Sequence, residues 1–120
     1  MIFFFIYLIR RKKMEELDLK VFRRKCKQKI RTYKHDDKKK RNYNASIVDD
    51  KFITFEFIYK MIINDNIKCC KMCNCDLLFT NYQRYNGSQY SMDRINSKFY
   101  HTENNIQIIC FNCNRRKQDN

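Results

Sequence analysis

Apolar and polar positions fall into distinct patterns along the chain. Residues 1–9 (MIFFFIYLI) form an unbroken apolar run that stops at Arg10, Arg11, Lys12 and Lys13. Over residues 14–32, Leu17, Val21 and Phe22 sit at helical spacing among lysines and arginines, which predicts a basic helix. Residues 33–50 are polar and charged, with Asp36, Asp37 and the run Lys38–Arg41, and read as a linker, disordered or partly helical. Residues 52–63 (FITFEFIYKMII) are strongly apolar. Thr54 as N-cap, with Phe55, Ile58 and Ile62 or Phe57 and Met61 on adjoining faces, predicts a helix over residues 54–65. The same residues are β-branched and aromatic, so a strand is the alternative, with length favouring the helix.

Beyond residue 67 the apolar stretches shorten. Leu77–Phe79 and Ile106–Ile109 are separated by polar runs such as Asn81–Ser88, in which Asn86-Gly87 signals a turn. Gln107–Ile109 reads as a strand running into Cys110, and residues 111–118 (FNCNRRKQ) as a short terminal helix. The expected class is α+β. A basic N-terminal extension and linker over residues 1–50 precede a domain over residues 51–120.

Charge sharpens that division. The net charge is +13, and residues 10–41 hold 16 of the 26 Lys/Arg but only 5 of the 13 Asp/Glu. A dense basic segment beside a near-neutral domain fits a polyanion partner, because each cation near a phosphate releases condensed counterions. DNA is the expected partner, and Arg23 and Arg24 are candidate contacts. The plainer reading of such a segment is a solvated tail or a localisation signal. The nine-residue apolar run is too short for a bilayer, which needs about 20 residues. It also lacks the basic start and small-residue cleavage site of a signal peptide. The run reads as a cap, or as sequence upstream of a start at Met14, and no membrane partner is expected.

Seven cysteines change the picture again: Cys26, Cys69, Cys70, Cys73, Cys75, Cys110 and Cys113. Cys70-x2-Cys73 and Cys110-x2-Cys113 are CxxC pairs with 36 residues between them. Zinc takes four tetrahedral ligands, and a two-residue gap lets both sulfurs of a knuckle reach one ion. Cys69 and Cys75 blur the first knuckle, yet Cys70 and Cys73 match the second pair best. Four thiolates leave the ion no open position, so the zinc is expected to be structural. Thiolate ligands also imply a reducing, intracellular compartment, the cytoplasm or nucleus of a host cell.

Between and beyond the knuckles lie Ser91-Met92-Asp93-Arg94-Ile95-Asn96, then Tyr100 to Cys110 with Asn105 four residues after His101, then Cys113-Asn114-Arg115-Arg116-Lys117. Over about residues 67–118 this resembles the HNH (His-Me finger, ββα-metal) endonucleases, in the zinc-containing branch with a CxxC pair on each side of the active-site hairpin. Phage and large-virus members with an S-x-D-R-I strand are the most similar. The resemblance implies that Asp93 and Asn114 ligate a catalytic Mg²⁺ or Mn²⁺, which suits two oxygen donors. It implies that Asn105 holds the hairpin loop, and that Arg115, Arg116 and Lys117 touch phosphate. The expected activity is metal-dependent hydrolysis of DNA phosphodiester bonds.

One position departs from the family pattern. Arg94 follows Asp93 where the family usually has histidine, and a guanidinium is no ordinary general base. Three readings stay open. His101 acts as the base; Arg94 binds phosphate while the metal activates water; or the domain is a catalytically inactive zinc-containing DNA- or RNA-binding protein. Asp93 as a salt-bridge partner, Asn114 as a helix cap and Asn105 as a turn residue are the plain readings of those side chains.

Overall fold

The computed structural model describes residues 2–40, 51–80 and 86–118, with side chains of the first helix described from Leu19 onward. Among these residues are three helices, α1 (Ile2–Lys38), α2 (Phe55–Asn64) and α3 (Phe111–Gln118), and a sheet of β1 (Tyr90–Arg94) and β2 (Ile106–Cys110). The α+β class is as expected. Among the described residues no helix is long and apolar enough to cross a membrane.

Helix α1 runs past the predicted 14–32 in both directions, so residues 33–38 are helix and not linker. The missing signal is tertiary. Phe22, Cys26, Tyr33 and Asp37 recur at intervals of four or seven residues on one face, but aspartate is a charged residue type and does not register as a core position in the sequence. It is nonetheless 1% exposed, held by His101 far along the chain. The rest of the expected linker, residues 41–50, lies outside the described residues, as do residues 81–85 of the turn-rich run.

Helix α1 shares the core of the C-terminal region. Phe22 is buried against Phe55 of α2 at 5.7 Å between ring centroids, against Tyr90 of β1 at 5.5 Å and against Phe79 at 6.1 Å. Burying one such ring contributes roughly 2 kcal/mol. Cys26 is fully buried one turn further on.

Helix α2 starts where its cap dictates. The Thr54 side chain accepts from the Phe57 N–H at 3.1 Å, one of the amide donors a helix start leaves unsatisfied. Its end is closed by Asn66 in the left-handed region at φ 49°, with Asn66 N–H donating to Ile63 O and Ile67 N–H to Ile62 O. That pair of bonds is a Schellman motif. The strand alternative for this segment is excluded by the structure.

Strands β1 and β2 pair antiparallel, with Tyr90 opposite Cys110, Ser91 opposite Ile109 and Asp93 opposite Gln107. Alternation sends Tyr90 and Met92 to the aromatic core and Ser91 and Asp93 to the other face. Helix α3 continues from β2 without a loop and packs back on the sheet, so this second face is covered too. The Asn86-Gly87 turn forms as the sequence suggests: the Asn86 side chain accepts from Ser88 N–H at 2.9 Å, and Gln89 N–H donates to Asn86 O.

Candidate metal centre and the adjoining carboxylate face

The first knuckle is shaped by its backbone. Cys69 and Asp76 bridge, Cys70 N–H donates to Cys75 O at 2.8 Å, and Asn74 closes the turn at φ 64°, a region asparagine tolerates better than most residues. The turn brings Cys70 and Cys73 to the β2–α3 junction, where Cys110 ends the strand and Cys113 occupies the first turn of the helix. The four sulfurs lie within 4.8 Å of one another, and Cys73 Sγ is 3.8 Å from Cys110 Sγ. A tetrahedral Zn–S bond of about 2.3 Å places sulfurs about 3.8 Å apart, so the cluster is compatible with a structural zinc. Cys69 is not in this group; its thiol turns to Asp76.

Electrostatics point the same way. Burial works against a Cys70 thiolate, but N–H donors from Cys73, Cys110 and Met72 outweigh it and bring the thiol below its ordinary value. Cys73 falls to about 6 through the Cys75 amide and the neighbouring thiols. Burial, with neighbouring thiols adding to it at Cys113, pushes Cys110 up to about 11 and Cys113 up to about 12. Some of the four ionise only at the expense of others, as like charges in one site must. A divalent cation is the partner that lets all four ionise together.

The neighbouring face of the sheet carries the polar side chains. Asp93 is 7% exposed, and its Oδ2 accepts from Gln107 Nε2 at 2.8 Å and from Lys117 Nζ at 2.7 Å. The same ammonium donates to Arg94 O at 2.7 Å. Asn114 donates through Nδ2 to Ser91 Oγ at 3.2 Å, and Ser91 in turn donates to Ile109 O. Asn114 and Lys117 are three residues apart and so share a helix face, just as Ser91 and Asp93 share a strand face. No local signal in the sequence marks Gln107 as a site residue; only the register, which sets it opposite Asp93, brings it in.

The hairpin loop between the strands is fixed by two residues. Asn105 Nδ2 donates to Asn96 O at 3.0 Å and to Tyr100 O at 2.9 Å, while its Oδ1 accepts from Asn96 N–H at 2.9 Å. Arg94 donates from Nη1 to Ser97 O and Phe99 O across the same loop. His101, in contrast, faces α1. It is 7% exposed, with Nδ1 2.9 Å and its backbone N–H 2.8 Å from Asp37 Oδ2, and its ring stacks on Tyr33 at 4.4 Å. The histidine is therefore a tie between α1 and the loop, and no described contact joins it to Asp93. Nothing in the sequence singled out Asp37 or Tyr33 as its partners.

The basic candidates separate by environment. Arg115 is exposed, whereas Arg116 donates to Cys113 Sγ at 3.4 Å and belongs to the thiol cluster. Arg23 lies over the Phe55 ring at 5.6 Å, and Arg24 is exposed on the opposite side of α1's core-facing stripe. Against family models, curated proteins and solved structures, the chain gives no match.

Proposed function

We propose that this chain is a metal-dependent DNA endonuclease of the HNH, ββα-metal type, stapled by zinc at Cys70, Cys73, Cys110 and Cys113. The observation that carries the reading is the nearly buried Asp93 carboxylate. It stands on a strand face with Gln107 and Lys117 on one of its oxygens and Asn114 alongside, directly beside the second CxxC pair. Lys117 and Gln107 compensate the burial of this charge at Oδ2, and both reach that one oxygen, so on this reading the carboxylate they hold is the ion's ligand.

Asp93 and Asn114 are the oxygen donors that would hold a hard ion such as Mg²⁺ or Mn²⁺. Their chemistry fits, with one constraint: the Lys117 ammonium already balances Oδ2 and competes with any cation placed there. Such an ion, when bound, supplies charge for the leaving oxygen and acidity for water. The chain's own residues do the rest. Gln107 fixes the carboxylate, Lys117 and Arg115 meet phosphate, and Asn105 with Arg94 holds the loop that frames the face. His101 is assigned a structural role, because Asp37 and Tyr33 engage it from α1.

The Asp93–Lys117 pair also favours a second reading, a zinc-stapled nucleic-acid-binding module whose carboxylate is permanently neutralised. Supercoiled-plasmid nicking separates the two. With Mg²⁺ or Mn²⁺, the zinc-loaded chain is expected to nick, and EDTA or Asp93→Ala to abolish it. Salt-sensitive DNA binding without nicking under either ion would leave only the binding module.

A further inference from the structure

From Leu19 to Lys38, α1 sorts its cations by face. Lys25 donates to Thr80 O and Lys29 to Gln89 Oε1, each at 2.9 Å, and Arg23 and Lys34 lie over the rings of Phe55 and Phe52. These side chains serve the fold. Lys20, Arg24, Lys27, Arg31 and Lys38 do not: all five are exposed, and none makes a side-chain hydrogen bond or ion pair among the described residues. At 100° per residue the five fall within an arc of about 60°, forming a ridge about 27 Å long. The two acids of this stretch, Asp36 and Asp37, lie off the ridge, and Asp37 is buried.

A row of like charges at helical spacing is mildly destabilising in isolation. Its arrangement suits a ligand with regularly spaced negative charge along one direction. An anionic membrane fits less well. Amphipathic helices bind bilayers by inserting an apolar face, and here Phe22 and Cys26 are buried in the core, with Ile30 and Tyr33 packed against it. The ridge is also anchored. Asp37 is bonded to His101, and Lys40 donates to Ser97 O at 3.3 Å, which ties the end of α1 to the loop that follows Asp93.

We propose that the ridge Lys20–Arg24–Lys27–Arg31–Lys38 is the docking surface for the phosphodiester backbone of duplex DNA. It takes its ligand from the nucleic-acid reading of the Asp93 face but does not depend on cleavage. The test is fluorescence anisotropy of a labelled 30-base-pair duplex with the zinc-loaded full chain, without Mg²⁺ or Mn²⁺, across a KCl series. The ridge variant is Lys20→Gln, Arg24→Gln, Lys27→Gln and Arg31→Gln combined. The control removes the same charge elsewhere, through Lys60→Gln, Lys68→Gln, Lys71→Gln and Lys98→Gln.

The ridge variant is expected to lose at least about 100-fold in affinity and to flatten the log–log salt slope by about 3 to 4, as four lost phosphate contacts dictate. The control is expected to stay within about fivefold. A ridge variant with Lys and Arg exchanged at the same four positions keeps the charge and restores binding, which separates charge from folding. Equal losses in ridge and control variants would overturn the proposal. So would a ridge variant that loses binding to phosphatidylserine vesicles but not to DNA. A chain that docks through the ridge and never nicks leaves this surface standing and removes only the endonuclease.

Discussion

Cys110 and Cys113 share the β2–α3 junction with Asn114 and Lys117, so the thiol cluster and the carboxylate face are neighbours built on one corner. They are assembled differently. The thiol cluster is made by local backbone: two tight knuckles whose N–H groups point at sulfur, as Met72, Cys73 and Cys110 do toward Cys70. The Asp93 face is made by side chains from three elements, and each depends on the strand register and on where α3 lies. A site made by local backbone tolerates changes at a distance, whereas one made by converging side chains depends on the rest of the fold.

The largest effect should come from the thiol side. If the cluster holds the structural zinc it is compatible with, Cys110→Ser removes one of four ligands of an ion whose binding is worth on the order of 10 kcal/mol to small zinc domains. Zinc content by elemental analysis should fall from one per chain, and cooperative thermal unfolding should be lost. Asp93→Asn should leave both unchanged. If Cys110→Ser melts like wild type, the cluster is not the staple and the contrast between the two regions fails.

Next is the tie between α1 and the hairpin loop. Asp37→Ala leaves the buried His101 ring nitrogen and backbone N–H without their acceptor, a loss of about 2 kcal/mol for buried donors left unsatisfied. Urea unfolding measures it. A destabilised variant whose nicking pH profile matches wild type places His101 in the scaffold; a shifted profile with unchanged stability would place it in the chemistry instead.

A smaller effect contrasts Cys26 with the cluster thiols. Burial holds the Cys26 thiol up at about 11 against an ordinary value of 9.0, with Tyr90 and Lys29 pulling the other way. The folded state therefore keeps a proton that the unfolded chain gives up above pH 9. Its contribution is intact below pH 9 and is lost as pH rises toward 11, by up to about 3 kcal/mol. Cluster thiols behave oppositely, releasing their metal as pH falls and sulfur is reprotonated. Denaturation between pH 9 and 11 should show a steeper loss in wild type than in Cys26→Ala; equal slopes would remove Cys26 from the account.

What was readable in the sequence follows the same division. Thr54 as a cap, the Asn86-Gly87 turn, the strand into Cys110 and the cysteine knuckles are all local signals, and each is found where it was expected. The set of sulfurs was legible because CxxC spacing is itself a statement of geometry. The C-terminal end of α1 is hidden from the sequence because Asp37 is buried through His101, 64 residues away, and no local pattern reports such a partner. Gln107 and Lys117 met Asp93 only once the register and the path of α3 were known. His101 and Arg94 stood out in the sequence as candidate chemistry, but their bonds serve α1 and the hairpin loop.

The central claim is that a hard-ion site at Asp93 exists beside, and separate from, the thiolate zinc. Mn²⁺ binding to the zinc-loaded chain, followed by electron paramagnetic resonance with zinc content measured in parallel, tests it most directly. One Mn²⁺ per chain is expected at constant zinc, lost in Asp93→Ala and tightened roughly tenfold in Lys117→Met, where the competing ammonium is gone. Mn²⁺ binding that survives Asp93→Ala, or that occurs only as zinc leaves, would contradict it.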